Sequence, residues 1–513
     1  MRIGIDVGGT NTDAVLMDGK TVKGATKTPT TPDVTAGIVT ALNNLIQQTH
    51  LTTADIQAVM LGTTHFTNAV VERKHLSPTA CIRIALPATA ALPPMCDWPD
   101  DLRSSLGNHY YLVHGGFEFD GRPITAFEPE EVREAARQIA DLGITAVAIS
   151  CVFSPINTEL EERAAEIVRE VIPNARITLS TAIGRLGLLE RENAAIINAC
   201  LGAVAERTVA GFEAALKQMH IAAPFYLSQN DGTLMSASFA EKYPVLTFAS
   251  GPTNSMRGAA FLSGLKNALV IDVGGTTSDV GMLQQGFPRV ASQAVDIGGV
   301  RTNFRMPDVY SFGLGGGSLV QTDPLKIGPQ SVGYELTTKG LIFGGDILTT
   351  TDIVVAAGLQ DIGERRRVSH IRPDLAHRVL DRIGEMVNNS IDRMKTSAEL
   401  VPVISVGGGS ILITRPIAGA SEIVQPEHYA CANAIGAAIA QVGGEVDRIF
   451  SLVTLSREEV LRQAKEEATH KAVAAGANPA TVEIVDVEEV PLAYLPGNAI
   501  RIMVKAVGDL AMS

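Results

Sequence analysis

Cysteine and positive charge are both scarce in this sequence. Its 513 residues include five cysteines, and no two of them stand in a Cys-x-x-Cys spacing. This odd, scattered set predicts reduced, mostly buried thiols rather than a disulfide framework or a zinc site. The net charge is −13 and no block of lysine and arginine stands out, which argues against a nucleic-acid partner or an anionic membrane surface.

Long apolar runs are missing as well. No stretch reaches the roughly 18 apolar residues that a membrane-spanning helix needs, and the N-terminus lacks the basic, apolar and small-residue regions of a signal peptide. The sequence therefore predicts a cytoplasmic protein with no membrane partner. Hydrophobic residues make up 46% of the chain. Its length exceeds what one core holds, so we expect two or three lobes.

One glycine-rich phrase occurs twice. The sequence IDVGGTNTDAV runs from Ile5 to Val15, and IDVGGTTSDVG runs from Ile271 to Gly281. In each copy an apolar strand ends at an aspartate, a Gly-Gly-Thr turn follows, and a second strand carries another aspartate. A glycine turn between two strand patterns predicts a β-hairpin. We therefore expect two matching hairpins, one in each half of the chain.

The residue types in these hairpins suit phosphate binding. Glycines let the backbone approach a ligand closely, and successive N–H groups in such a turn form a concavity that binds anions. Threonine hydroxyls add donors. An aspartate at a strand end holds Mg²⁺ through water, because this cation prefers oxygen ligands and keeps part of its hydration shell. We therefore expect the two hairpins to grip the phosphates of a nucleotide from both sides.

This chemistry assigns roles to two sets of residues. The predicted phosphate-binding residues are Gly8, Gly9, Thr10, Asn11, Thr12, Gly274, Gly275, Thr276 and Thr277. The predicted metal ligands are Asp6, Asp272 and Asp279, and Asp6 and Asp272 are also predicted to be catalytic. A buried carboxylate at a strand end is costly unless a cation or hydrogen bonds compensate it, which favours a functional role for these aspartates.

Two other phosphate-binding motifs do not fit the repeat. A Walker P-loop requires a lysine after its last glycine, and neither copy has one. A Rossmann turn leads from a strand into a helix, whereas both turns here lead into a strand. One Asp-Gly-Gly hairpin alone is usually only a turn, so it is the repetition that favours a function.

The paired hairpins resemble those of the superfamily of two-lobed ATPases that includes sugar kinases, heat-shock chaperones and actin. This resemblance implies an α/β fold of two ribonuclease-H-like lobes with a nucleotide cleft between them, followed here by a small C-terminal α+β tail. It also implies ATP and Mg²⁺ as cofactors, and late glycine clusters that hold the adenosine or line the cleft. The glycines concerned are Gly315, Gly316, Gly407, Gly408 and Gly409.

Further segments narrow the resemblance to one family. GTTHFTNAVVERK (Gly62–Lys74), LERENAAIINACL (Leu189–Leu201), SGPTNSMRGAA (Ser250–Ala260) and GLGGGSL (Gly313–Leu319) follow one another along the chain. With the hairpins, this series is similar to the hydantoinase A/5-oxoprolinase family over roughly residues 1–450. The similarity implies an N-terminal ATPase lobe over residues 1–180 and a second ATPase lobe over residues 181–450. A C-terminal helix and strand extension then covers residues 451–513.

The family resemblance implies an ATP-dependent hydrolase, or a subunit of one. Such an enzyme phosphorylates the carbonyl oxygen of a hydantoin, a lactam or a 5-oxoproline-like cyclic amide to activate the ring for opening. Asp231 is predicted to orient this substrate. The implied partner is a second catalytic subunit, similar to hydantoinase B, and homo-oligomerisation stays open.

Other functions stay open beside this one. The chain could be a carboxylase-type subunit that phosphorylates a ketone enol, a small-molecule kinase, or a non-catalytic, ATP-switched protein of the chaperone kind. Fold alone does not separate these classes. His65 stands where the family usually has an aliphatic residue, and SGPTNS replaces the common SGPAGG. These departures leave the substrate class open.

Overall fold

The computed structural model describes residues 1–8, 10–30, 34–291, 294–453, 455–493 and 498–511. The strands in this part of the chain are β1 (Arg2–Val7), β2 (Asn11–Asp18), β3 (Thr21–Pro29), β4 (Ala58–Thr63), β5 (Thr79–Leu86), β6 (His109–His114), β7 (Ala146–Cys151), β8 (Arg176–Leu179), β9 (Phe225–Ser228), β10 (Thr233–Ser236), β11 (Ala268–Val273), β12 (Ser278–Gln284), β13 (Phe287–Pro288), β14 (Val295–Ile297), β15 (Val300–Thr302), β16 (Val309–Phe312), β17 (Ser318–Thr322), β18 (Leu325–Ser331), β19 (Val401–Val406), β20 (Ala420–Val424), β21 (Gln441–Ser451), β22 (Glu483–Pro491) and β23 (Ala499–Gly508). The α-helices are α1 (Val34–Thr49), α2 (His65–Val71), α3 (Asp100–Leu106), α4 (Pro129–Asp141), α5 (Glu159–Val171), α6 (Leu188–Gln218), α7 (Ala237–Lys242), α8 (Ser250–Ser263), α9 (Leu336–Lys339), α10 (Thr350–Ala356), α11 (Pro373–Met394), α12 (Ala432–Ala438) and α13 (Arg457–Ala474).

The first sheet is built around β1. Its strands lie in the order β22, β23, β21, β10, β9, β4, β1, β2, β3. β1 pairs antiparallel with β2 and parallel with β4. Both faces of β2 are covered, because Ala14 and Leu16 pack in a cluster with α1, whereas Val15 and Met17 pack with α12. Because both faces are covered, the residues from Ala14 to Met17 are all apolar, whereas the strand begins with the polar residues Asn11, Thr12 and Asp13.

The predicted C-terminal extension belongs to this same sheet. β21 and β23 pair antiparallel, and β22 pairs with the other edge of β23. α13 packs on β21 and β23 through a row of small and apolar side chains that includes Val460, Ala464 and Ala468. β9 and β10, which fall in the predicted second lobe, also join this sheet. The first sheet thus contains strands from both sides of the predicted boundaries after residues 180 and 450. The sequence did not reveal this, because pairing between distant strands leaves no local pattern. The domain division itself stays a prediction.

A separate parallel sheet, in the order β6, β5, β7, β8, is joined to the long helix α6 by buried charges. Arg83 of β5 donates from Nε to Oε2 of Glu192 on α6 over 2.7 Å, and a second bond joins the pair at 2.6 Å. The Ser150 hydroxyl on β7 donates to the same Oε2 atom over 2.6 Å. Both charged side chains are almost completely buried. They therefore attach the sheet to α6.

α6 is also, within the described ranges, the one helix long and apolar enough to cross a membrane by length and composition. However, 67% of its most apolar window is buried inside the protein. The ion pair with Arg83 lies on this helix as well. These two observations indicate that α6 is a core helix of the folded chain.

The second sheet repeats the plan of the first. Its strands lie in the order β13, β12, β11, β19, β20, and β16 pairs with β12. β11 pairs antiparallel with β12 and parallel with β19, as β1 does with β2 and β4. Helices α10 and α11 cover it through a core that includes Ile271, Ile353 and Ile383. The predicted α/β fold of two similarly built lobes is confirmed.

Two helices cross between the sheets. α12 packs on β1, β2 and β4, whereas α8 packs mainly on β11, β12, β13 and β19. Their backbones touch at two glycines: a β-carbon on Gly258 would lie 1.9 Å from the Ala432 carbonyl oxygen, and one on Gly436 would lie 1.8 Å from the Asn254 carbonyl oxygen. This close crossing fixes α8 and α12 against each other and places both beside the repeated hairpins.

Candidate functional site

The first hairpin joins β1 to β2. The Gly8 N–H donates to the Asn11 carbonyl oxygen over 3.0 Å, and Thr30 supports the turn by donating its hydroxyl to the Gly8 carbonyl oxygen over 2.8 Å. Thr12 is buried behind the turn. Gly9, also predicted to bind phosphate, lies outside the described residues. The predicted second strand of the hairpin starts at Asn11, which already pairs with β3.

Asp6 ends β1 in a buried position. Its residue is 5% exposed and pairs in register with Asp13 on β2. Burial raises the pKa of Asp6 to about 6, the nearby Asp13 carboxylate adds to the rise, and a hydrogen bond from Asn433 opposes it. Asp6 is therefore a carboxylate that the surrounding protein compensates only in part, which suits a group that awaits a cation.

The partners of Asp6 include residues that the sequence did not reveal. The Asn433 amide on α12 donates to Oδ2 of Asp6 over 2.9 Å and to Oδ2 of Asp13 over 3.0 Å. Lys27 on β3 forms an ion pair with Asp13 at 2.7 Å. Asn433 is 427 positions from Asp6, and nothing in its local sequence marks it as a site residue. Together these groups hold the two carboxylates in a fixed arrangement.

The second hairpin joins β11 to β12 and has the same register, with Asp272 opposite Asp279. The Gly274 N–H donates to the Thr277 carbonyl oxygen over 2.9 Å. Burial raises the pKa of Asp272, and contact with Ser255 opposes that rise. Burial also raises the pKa of Asp279 to about 6, and a hydrogen bond from Ser311 opposes it. Burial therefore raises the pKa of both aspartates in the second hairpin, as it raises the pKa of Asp6 in the first.

The glycine cluster before β17 supports this hairpin. The Gly316 N–H donates to the Gly274 carbonyl oxygen over 3.0 Å, and the Gly317 N–H donates to the Gly275 carbonyl oxygen over 2.7 Å. The Gly315 N–H donates to the Ser318 hydroxyl oxygen over 2.8 Å. Gly315 and Gly316 thus use their N–H groups on the protein, and their contact with a nucleotide stays a prediction.

The two hairpins meet at their tips. A β-carbon on Gly275 would lie 2.9 Å from the Cγ2 atom of Thr10 and 3.1 Å from its Oγ1 atom. Glycine at 275 is therefore needed for Thr10 to reach this position. The two hairpin turns therefore lie against each other, and their binding of phosphates from both sides stays a prediction.

A third glycine run closes the same region. Gly407 adopts φ +85°, and a β-carbon there would lie 2.1 Å from Oδ1 of Asp272. The Gly409 N–H donates to the Val273 carbonyl oxygen over 2.7 Å. Gly408 is exposed, with no neighbour within 4 Å of the position of a β-carbon. The run therefore packs on the end of β11 and offers one open glycine beside the hairpin.

The donor set fits a hydrated Mg²⁺ ion. Within the described ranges no group of three or more histidine, cysteine, aspartate or glutamate side chains could hold a metal by themselves. Mg²⁺ usually keeps several waters and takes one or two carboxylates plus substrate phosphates. Asp6 is buried, whereas Asp272 and Asp279 are half-buried. Loss of hydration raises the pKa of all three carboxylates, so a nearby cation would stabilise their charged forms. Magnesium binding stays a proposal.

Asp231 is engaged elsewhere. It lies in the turn between β9 and β10, where Oδ1 accepts from the Thr233 N–H over 2.9 Å. Lys505 of β23 forms an ion pair with its carboxylate at 2.8 Å. Burial opposes ionisation, but Lys505 outweighs it and lowers the pKa of Asp231 to about 2. The structure thus gives Asp231 a role in attaching β23, and its predicted role in orienting substrate stays untested.

The Asp231–Lys505 pair predicts a pH-dependent stability. Because the folded pKa of Asp231 is about 2, below the usual value of about 4, its contribution is complete above about pH 4 and is lost as pH falls towards 2. We expect roughly 2 kcal/mol of unfolding free energy to be lost through this group. Denaturant unfolding of the parent chain and of Asp231→Asn checks this prediction. The difference in unfolding free energy between the two proteins should become smaller as the pH falls. A difference that does not change with pH would contradict the prediction.

Comparison with known proteins decides the family. A model described as the hydantoinase/oxoprolinase N-terminal region matches residues 2–172, and one described as hydantoinase/oxoprolinase matches residues 191–366. Together they cover more than half of the chain. The chain belongs to the hydantoinase/oxoprolinase family. The resemblance drawn from the sequence is thereby confirmed, and each matched region contains one of the two hairpins.

Curated relatives of this family member are distant and longer. An uncharacterised protein of Methanocaldococcus jannaschii is 26% identical over 430 residues, which cover 77% of this chain and 62% of the relative. The acetophenone carboxylase gamma subunit of Aromatoleum aromaticum is 26% identical over 69% of this chain and 53% of its own length. The caprolactamase subunit alpha of Pseudomonas jessenii is 26% identical, with shares of 70% and 54%. The chain thus spans about half to three fifths of the length of these relatives.

Solved structures share the fold over the whole chain. The ATP-dependent caprolactamase from Pseudomonas jessenii aligns with a TM-score of 0.81 at 19% identity, covering 100% of this chain and 88% of that one. Nucleotide-free acetone carboxylase aligns with a TM-score of 0.69 at 18% identity, with the same coverage. At these identities the likeness shows the fold alone.

Proposed function

We propose that this chain is the ATP-using part of an enzyme that phosphorylates the carbonyl oxygen of a cyclic amide. The observation that carries the proposal is the meeting of the two hairpins, where Thr10 packs against Gly275. Behind each tip stands a strand-end carboxylate: Asp6, which is buried, and Asp272, which is half-buried. Membership of the hydantoinase/oxoprolinase family supports ATP use, and the relative named caprolactamase supports a cyclic amide as substrate.

The reaction follows from the poor reactivity of an amide carbonyl. The ring nitrogen delocalises into the carbonyl, so water attacks its carbon slowly. In the proposed step the carbonyl oxygen attacks the γ-phosphorus of ATP, the bond to the β–γ bridging oxygen breaks, and ADP leaves. Water then adds to the activated carbon, and the ring C–N bond breaks to leave an acyl phosphate. A second water attacks the carbonyl carbon of that acyl phosphate, the C–O bond to the phosphate breaks, and inorganic phosphate leaves with the original carbonyl oxygen.

The residues of the chain contribute mainly by positioning. Backbone N–H groups of both hairpins and the hydroxyls of Thr10, Thr276 and Thr277 hold the phosphates in line with the attacking oxygen, because positioning and charge stabilisation supply most of phosphoryl-transfer catalysis. Mg²⁺, held through water by the hairpin aspartates, would neutralise charge on the phosphates. The close contact of the tips excludes water from the transferring group.

A ketone substrate is the second candidate. The beta subunit of acetone carboxylase from Xanthobacter autotrophicus is 26% identical over 69% of this chain, and the acetophenone carboxylase subunit is equally similar. With a ketone, the same phosphoryl transfer would give an enol phosphate. The same hairpins would serve both reactions, since the transferred group and its charge are the same.

A substrate screen separates these candidates from a non-catalytic switch. We expect ATP turnover by the purified chain to rise when one of a panel of hydantoins, lactams, 5-oxoproline or ketones is added, because the acceptor oxygen completes the transfer. The measurement is release of ADP at saturating ATP. Stimulation by a lactam or hydantoin supports the cyclic amide, and stimulation by a ketone supports the carboxylase type. Stimulation by a protein client alone would contradict both.

A partner subunit is a further expectation. Relatives are named as subunits of caprolactamase and of carboxylases, and the chain matches about half of their length. We therefore expect the purified chain to consume ATP with its substrate but to release little ring-opened product until a second subunit is added. Chromatographic measurement of product against ADP checks this. One product formed per ADP by the chain alone would contradict it.

A further inference from the structure

Helix α8 reaches both lobes at once. Its first residues contact the first sheet, where Ser250 donates its hydroxyl to the Thr63 carbonyl oxygen over 3.3 Å and Thr253 donates to the Asn230 carbonyl oxygen over 3.0 Å. Its later residues, including Met256 and Ala259, pack into a cluster with β11 and β19. α8 therefore packs against both sheets: its N-terminal half touches the carboxyl end of β4, and it also crosses closely over α12, which lies on the first sheet.

Asn254 on α8 faces Asp6 of the first lobe. A β-carbon on Gly62 would lie 2.4 Å from Oδ1 of Asp6 and 2.5 Å from Nδ2 of Asn254, so the two side chains share the space above that glycine. The next residue, Ser255, lies against Asp272 and favours its charged form. Consecutive residues of one helix thus approach the strand-end carboxylates of both hairpins.

The Asn254 side chain is fully buried and unpaired. Its exposure is 0%, and neither amide atom makes a hydrogen bond to the described protein. Leaving a buried amide unpaired costs free energy, since its donors and acceptor lose their bonds to water. Asp6 is the charged group that faces it, and the amide already favours the charged form of that carboxylate. Thr253, its buried neighbour, is fully hydrogen-bonded to Asn230.

We propose that Asn254 is a positioning residue that orients the Asp6 carboxylate from α8, the helix that contacts both sheets. Its buried amide faces that carboxylate across the space above Gly62 and so limits the orientations that Asp6 can take. The inference rests on the proposed nucleotide site and adds to it a residue that positions one of its carboxylates. Without that residue the site would bind ATP but place its phosphates poorly.

Replacement by a side chain of similar size tests the role. Asn254→Leu fills the same space without the amide, and we expect about a tenfold fall in the ATP turnover rate with little change in the dissociation constant for ATP. In an Asp6→Asn background the same replacement should cause no additional loss, because residues that act through one another are not additive. If Asn254→Leu does not fold, Asn254→Ser also removes the amide and carries the same expectation.

Thr253→Val is the matched control. It removes a buried hydroxyl one position away on the same helix and should leave ATP turnover within about twofold of the parent. Parental turnover in Asn254→Leu, or an equal loss with and without Asp6→Asn, would overturn the inference while leaving the nucleotide site in place. Failure of the unaltered chain to bind ATP would overturn the proposed function and, with it, this role of Asn254.

Discussion

Asp272→Asn is expected to lower ATP turnover by about 10²-fold or more, and Asp6→Asn should do the same. Each replacement removes a negative charge from the end of a hairpin strand while keeping the shape of the side chain. The buried surroundings that raise the pKa of both carboxylates are in place before any ligand binds. Loss of either charge therefore removes stabilisation at the place where the phosphates and their cation would lie. The measurement is the steady-state rate of ADP release.

Asp18→Asn is the matched control for these variants. Asp18 ends β2, the strand that carries Asp13, but its side chain is exposed and lies 3.7 Å from Lys23. Its replacement should leave turnover unchanged. Turnover near the parental value in both Asp6→Asn and Asp272→Asn would contradict the assignment of the site to the hairpins.

Glu192→Gln is expected to destabilise the protein by about 3–5 kcal/mol. The replacement leaves the Arg83 guanidinium buried without its counter-charge, and Arg83 and Glu192 side chains are 0% and 1% exposed. The segment LERENAA therefore contributes stability through this pair, beyond any link to catalysis. The midpoint of the first denaturant transition, followed by circular dichroism, is the measurement, because a chain with several cores need not unfold in one step.

Two further variants decide whether the pair itself is responsible. Glu170→Gln removes a carboxylate from an exposed ion pair with Arg133 and should cost less than about 1 kcal/mol. Combining Arg83→Met with Glu192→Gln removes the uncompensated charge and should recover much of the stability. A double variant as unstable as Glu192→Gln alone would show that the loss has another cause.

Short-range sequence patterns predicted the strands and turns that form between neighbouring residues. The strand predicted before each glycine turn is present, as Arg2–Val7 and Ala268–Val273, because each is mostly buried and apolar and is followed by a glycine turn. The hairpin repeat predicted two lobes with the same strand arrangement, and the two sheets confirm it.

What the sequence did not show depends on contacts between distant segments. Asn433 binds Asp6 and Asp13 from a helix far along the chain, and its surroundings, Cys-Ala-Asn-Ala-Ile, carry no signal of that role. In the sequence, Asn254 stood out only because the segment SGPTNS differs from the SGPAGG that is common in the family. The strands β22 and β23 were predicted as part of a C-terminal extension, but they belong to the first sheet. Such pairings are set by packing, not by propensity.

The central claim is that ATP is used to phosphorylate the carbonyl oxygen of the substrate. Once the screen has identified a substrate, its carbonyl is labelled with ¹⁸O and followed through turnover with the partner subunit present. The proposed chemistry carries that oxygen into inorganic phosphate, so mass spectrometry should find the label there. Unlabelled phosphate, with ATP consumed, would show that the ATPase drives a conformational change instead and would contradict the claim.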